Sequence, residues 1–227
     1  MSGCCRAAPC EELFDARVAA WYLRRYQRGG LDGTERRMLA VLGAADLAGS
    51  SVLELGGGVG ALQAELLKRG AAKGEVVELV AAYAPFAAEL AAEAGVAERS
   101  TFRVADVLGD PGAAQPADIV IVNRVVCCSA EGVELLGAAA RLTKGVLLVS
   151  FPRPSRLARL AARAQHGLAR LFGRLYRFYV HPRARLRAAA EGAGLEPVGG
   201  GAGLVWEYVA FRRPTQPANA APDISPT

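Results

Sequence analysis

The sequence predicts an α/β fold built on a seven-stranded, mostly parallel sheet whose last strand runs antiparallel. Three observations carry this. Short apolar strands alternate with Ala/Leu-rich helical runs through the middle of the chain, one strand ends in a cluster of glycines, and two final strands are joined through Gly199-Gly200-Gly201 with no helix between them. The 227 residues suit one domain with a modest cap, and a composition 52% hydrophobic and 22% charged can bury a full core.

Each element follows in order. Residues 11–28 place Leu13, Phe14, Ala16, Val18, Trp21 and Tyr22 at helical spacing, and Gly29-Gly30 ends the run. Thr34 opens a second helical stretch that continues through Leu47. Together these form an N-terminal helical cap, residues 1–48. The core, residues 49–213, has strands expected at 52–55, 75–80, 101–104, 118–122 and 145–151. Two more, 195–198 and 204–212, should pair antiparallel at one edge. Between the fifth strand and this pair lies an Arg-rich helical lid, residues 153–190. The stretch 214–227, with several prolines and little apolar content, is expected to be disordered.

No run approaches the roughly 18 unbroken apolar residues of a membrane span, and residues 1–12 carry no signal-like apolar segment, so a cytoplasmic location is expected. The five cysteines are too few and too clustered for a disulfide framework. Reduced thiols are expected, Cys127 and Cys128 read as packed in an apolar segment, and with no Cys-x-x-Cys pair no metal is expected. The net charge of +5 is local: residues 151–190 hold ten arginines and no acid, leaving the remainder at −5. Arg156, Arg159, Arg163, Arg170, Arg174 and Arg177 share one helical face of this insert, and Leu157, Leu160, Ala164, Leu168, Leu171 and Leu175 another. The apolar face could cover a substrate, and the arginines could meet a carboxylate or an anionic membrane. Stacking aromatics are not interleaved with the arginines before Phe172, so no nucleic acid is expected.

The chemistry concentrates at Val52-Leu53-Glu54-Leu55-Gly56-Gly57-Gly58-Val59-Gly60, a strand running into a glycine turn before a helix. Glycines let a ligand touch the backbone. Gly56, Gly58 and Ala61 also satisfy a dinucleotide loop, so the surrounding acids decide. Glu54 would repel a pyrophosphate but suits a ligand carrying an ammonium and a sulfonium. Glu78, about 20 residues beyond the loop, stands where an acid grips both ribose hydroxyls. Asp106, past the third strand, can accept from an adenine amino group. A nicotinamide-dependent reductase is the competing reading of the loop. Glu54 and the absence of a Tyr-x-x-x-Lys pair oppose it.

On these motifs the sequence, over 51–212, resembles the class I S-adenosylmethionine-dependent methyltransferases, whose fold is a Rossmann-like sheet. The resemblance implies S-adenosyl-L-methionine as cofactor, held by Glu54, Gly56, Gly57, Gly58, Gly60, Glu78, Asp106 and Val107, with Asn123 bordering the site beside Arg124. The family's Asn-Pro-Pro-Tyr or Asp-Pro-Pro-Tyr motif for nitrogen targets is absent. More loosely, the cap from Phe14-Asp15 to Leu23-Arg24-Arg25-Tyr26 is similar to the magnesium protoporphyrin O-methyltransferase branch. Where that branch usually has a His-Tyr-Pro-like sequence, this chain has Cys128-Ser129-Ala130, which counts against a tetrapyrrole. Methylation of a carboxyl or hydroxyl oxygen on a small, partly apolar acceptor is the resulting expectation. Methyl transfer mainly needs alignment, so few catalytic residues are obligatory. His181, one of two histidines, is the candidate base, and Tyr26 is the second candidate catalytic residue. A cofactor-binding module that docks on a partner or membrane through the arginines is the alternative from another class.

Overall fold

The computed structural model describes residues 7–110, 112–173 and 176–214. Arg174 and Leu175 of the two insert faces, and all of the expected disordered tail but Pro214, lie outside the described residues.

Seven strands form one sheet: β1 (Ser51–Leu55), β2 (Lys73–Glu78), β3 (Ser100–Val104), β4 (Ala117–Asn123), β5 (Thr143–Pro152), β6 (Glu196–Ala202) and β7 (Trp206–Arg212). Their order is β3-β2-β1-β4-β5-β7-β6. The first five are mutually parallel, and β7 is antiparallel to both β5 and β6. The last two strands pair as expected, but only β6 takes the edge, with β7 inserted beside β5. Composition explains the choice. Pro197 has no N–H to give a neighbour and three glycines offer no side chains to pack, so β6 suits a single-sided position. β7 buries Glu207, Tyr208, Ala210 and Phe211 between two partners.

Alternate residues of the central strands enter opposite cores. Val52, Ile119, Ile121, Val146 and Leu148 face one side with Met38, Leu39, Leu62 and Leu66, while Leu53, Leu55, Val120, Val122, Leu147 and Val149 face the other with Leu136 and Phe211. Burial on both faces is why these strands read as continuous apolar runs. Helices α5 (Ala61–Lys68) and α6 (Ala84–Glu93) pack on the first side, and α7 (Gly132–Leu142) and α9 (Arg183–Glu191) on the second. The order reverses between β1 and β4, which opens a crevice at the carboxyl ends of the strands.

The cap departs from the expected pair of helices. Asp15 splits the first into α1 (Ala7–Leu13) and α2 (Ala16–Gly29), because its carboxylate accepts the N–H groups of Arg17 and Val18 and so starts a new helix inside an apolar periodic run. The second becomes α3 (Gly33–Leu39) and α4 (Ala44–Leu47), parted near Gly43. α3 begins with a capping box in which Asp32 and Glu35 exchange backbone bonds.

The insert also breaks. α8 (Arg156–Leu171), capped by Ser155 on the Ala158 N–H, stops at Phe172 and Gly173, where φ is +64°. The chain then returns along it, with Gln165 bonded to the Phe178 N–H and the Tyr176 carbonyl. Among the described residues the leucine face does not cover the cavity-lining side of the domain. Ala162 and Ala169 turn inward, and Leu157, Leu160, Leu168 and Leu171 turn to solvent. The period fixed two faces without saying which was inner.

Candidate active site

A cavity of about 190 Å³ opens at the switch point, between the carboxyl ends of β1, β2 and β4 and the helices of the cap. Into its wall come Glu54, Gly56, Gly57, Gly58, Glu78, Asp106, Val107, Asn123 and Arg124, together with Tyr26 of α2. Gly60 does not reach the wall. It adopts the left-handed conformation at the start of α5, with its N–H bonded to the Gly57 carbonyl. None of the described residues 153–190 lines the cavity, His181 included.

The loop is shaped by its acids. Glu78, the last residue of β2, accepts the Gly58 N–H through one carboxylate oxygen and the Leu79 and Val80 N–H groups through the other, at 2.8–3.1 Å. Burial pushes its carboxyl up and the three N–H groups oppose. A carboxylate offers about four acceptor sites, so with three taken one remains for a ligand. Glu54 accepts the Gln63 N–H at 2.9 Å, which satisfies a free donor in the first turn of α5. It is 2% exposed, and burial lifts its carboxyl to about 8, with Glu35 and Glu78 adding to the rise. A β-carbon on Gly57 would lie 2.7 Å from the Glu54 side chain, so the loop lies flat on this acid. Asp106 accepts the Leu108 N–H and turns the chain after β3.

Gly58 shows how tightly the loop is fitted. Its φ is +56°, and an added β-carbon would meet the Tyr83 ring at 3.1 Å. Gly58→Ala is therefore expected to cost about 1–2 kcal/mol of stability, readable by urea unfolding, because a left-handed conformation and a ring contact must both be accommodated.

The opposite wall is a charge cluster anchored on the α3 capping box. Arg25 reaches Asp32 at 3.0 Å and Glu35 at 3.3 Å, Arg124 pairs with Asp32, and Asn123 donates to Glu35 at 3.3 Å. Burial pulls the Asp32 carboxyl up, but the Glu35 and Thr34 N–H groups and Arg124 outweigh it and hold it below its ordinary value. Arg124 has φ +60° and stacks 4.7 Å over the Trp206 ring, and among the described residues its buried Nε has no hydrogen-bond partner. Tyr22, Tyr83, Phe14, Cys10 and Cys128 also line the cavity, with aliphatic residues such as Leu31, Leu55 and Val125.

Two candidate catalytic residues stand differently from expectation. His181 places Nε2 2.9 Å from the carbonyls of both Val126 and Ser129, so the ring ties down the turn after β4 and is not a base facing the cavity. Tyr26 is on the wall, but its hydroxyl donates to Glu65; burial and that bond raise its pKa, so the phenol keeps its proton. Among residues outside the sequence expectation, Asp32 and Glu35 had a signal in the Asp-x-x-Glu spacing of the box. Tyr22 and Tyr83 had none beyond helical periodicity.

No family model matches the sequence, and no curated protein matches it. Solved structures do. An O-methyltransferase family protein from Burkholderia thailandensis aligns over 90% of this chain with TM-score 0.66 at 22% identity. Magnesium protoporphyrin IX methyltransferase from Synechocystis PCC 6803, solved with bound SAH, aligns over 90% of this chain and 98% of its own length with TM-score 0.66 at 18% identity. The mitomycin 7-O-methyltransferase aligns over 89% with TM-score 0.63 at 23% identity. This chain spans 62% of the Burkholderia protein and 60% of the mitomycin enzyme. With the strand order and the glycine crevice already described, these likenesses give the chain its fold, that of the class I S-adenosylmethionine-dependent methyltransferases.

Proposed function

We propose that the protein is an S-adenosylmethionine-dependent methyltransferase that acts on oxygen of a small, partly apolar acceptor. The observation that carries this reading is the meeting of Glu54, Glu78 and Asp106 with the Gly56–Gly58 backbone around one cavity. The donor set suits the cofactor: Glu78 has acceptor capacity left for a ribose hydroxyl, Asp106 suits an adenine amino group, and Glu54 favours positive charge. When bound, S-adenosylmethionine supplies an electrophilic methyl group on a sulfonium.

The chain's own part is to bind, orient and exclude water. Tyr22, Tyr83, Phe14 and Val107 offer an apolar wall for the acceptor, and Arg25 and Arg124 place guanidiniums beside it. No histidine faces the cavity, and Tyr26 holds its proton on the Glu65 bond. A carboxylate acceptor fits this inventory best, since it is already nucleophilic at neutral pH and needs no base.

Calorimetry with S-adenosylmethionine, S-adenosylhomocysteine and NADPH tests the cofactor. The two adenosyl compounds should bind and NADPH should not; the reverse result overturns the reading. Mass spectrometry of an extract incubated with labelled methyl donor then tests the acceptor, and label found on nitrogen would refute oxygen transfer.

A further inference from the structure

We infer that α8 is a membrane-docking helix which lays its leucine ridge into an anionic lipid surface. This goes beyond the cofactor reading and does not rest on it. The outward residues are Leu157 (75% exposed), Leu160 (62%), Leu168 (57%), Leu171 (75%) and, just past the helix, Phe172 (71%). At 100° per residue the leucines span a sector about 80° wide, and Arg156, Arg159, Arg163 and Arg170 form a row directly beside it. The face that meets the rest of the chain is made of Ala158, Ala162, Gln165, His166 and Ala169, with Gln165 and His166 bonded to the returning segment 176–178. Small and polar residues thus seat the helix while the large apolar ones are left in water, the inverse of a helix folded for its own core. A covering surface would remove this exposed apolar area from water, which favours docking.

The ridge continues beyond the helix. Leu13 of α1 (43% exposed) shares a cleft with Leu168 and Phe172, and at the other end the Arg153 N–H bonds to the Val205 carbonyl beside Leu204 (93% exposed).

Charge decides what covers it. Residues 151–190 contain ten arginines and no acid. A second copy seated on this helix by two-fold symmetry would bring another ten arginines and no acid from the same segment to pair with the row. Nucleic acid would neutralise the arginines but leave the leucines wet. An anionic bilayer satisfies both, with leucines among acyl chains and guanidiniums at phosphate depth. Among the described residues no helix is long and apolar enough to cross a membrane, so the contact is in the plane of the surface. The helix lies close to the active site: Tyr176 lines the α1–α8 cleft and touches Phe14 edge-on at 5.6 Å and Cys128 through its hydroxyl, and both of those line the cavity.

The test is sedimentation of the full chain with phosphatidylcholine vesicles, alone or containing phosphatidylglycerol, at low and raised salt. Binding to the anionic vesicles, at least tenfold weaker at raised salt, is expected. Changing Leu157, Leu160, Leu168 and Leu171 together to serine should lower vesicle affinity at least tenfold while leaving the thermal melt in place, because these side chains are exposed. Arg156→Gln with Arg159→Gln, Arg163→Gln and Arg170→Gln should remove the preference for anionic lipid. The inference fails if neither vesicle is bound, if the serine variant binds as well as the original, or if sedimentation equilibrium shows the ridge buried in a dimer that the serine variant dissolves.

Discussion

Glu78→Ala should lower S-adenosylmethionine affinity by at least a hundredfold and also loosen the glycine loop. Two consequences add at this position. The alanine removes the acceptor proposed for a ribose hydroxyl, and a hydrogen bond to a charged group is worth about 1.5–3 kcal/mol. It also strips three N–H groups of Gly58, Leu79 and Val80 of their shared partner. A buried donor left unsatisfied costs about 1–3 kcal/mol. Relief from burying a carboxylate that is 8% exposed offsets part of that loss. Glu78→Gln separates the contributions. Both carboxylate oxygens accept from backbone, so the amide nitrogen must face an N–H, either at Gly58 or at the Leu79–Val80 pair. The glutamine variant should therefore bind more weakly than the original and more tightly than the alanine. Calorimetry gives both affinities and a urea melt the stabilities. Undiminished affinity in Glu78→Ala would remove Glu78 from the cofactor site.

The strands and the acids were legible for the same reason. Ile119–Val122 is buried on both faces and prints as an unbroken apolar run, Val52–Leu55 is broken only by Glu54, and the crevice at the strand ends is lined by Glu54, Glu78 and Asp106. What escaped was non-local or two-valued. Arg124 meets Asp32 across 92 residues and Asn123 meets Glu35 across 88, pairings that no spacing rule reaches. Asp15 sits between Phe14 and Ala16 in one apolar period, and only its capping bonds show that the helix restarts there. His181 was rare and followed by proline, which suited a base as well as a tether. The two carbonyls at 2.9 Å favour the tether.

On the proposed cofactor reading Glu54 couples stability to binding, and its substitution should move the two in opposite directions. Its carboxyl has an ordinary value of 4.5 and rises to about 8 in the folded chain, chiefly through burial. Between those values the unfolded chain has released its proton while the folded chain keeps it, so this group's contribution to stability is full below 4.5 and is lost as pH rises toward 8. At 1.36 kcal/mol per pKa unit the gap sets an upper limit of about 5 kcal/mol. In Glu54→Gln the side-chain oxygen can still accept the Gln63 N–H, but no charge forms. The variant should be more stable than the original by about 2–4 kcal/mol at pH 8 and nearly equal to it at pH 5. Binding should run the other way. A cationic ligand favours the carboxylate, so the original should release a proton on binding S-adenosylmethionine near pH 7, and its affinity should climb with pH until about 8 and then level. Glu54→Gln should bind at least tenfold more weakly at pH 8, with neither the slope nor the released proton. Calorimetry in two buffers of different ionisation enthalpy counts that proton. If none is released and the affinity of the original is flat from pH 6 to 8, Glu54 serves α5 alone, and the positive ligand must be held by other acids of the cavity.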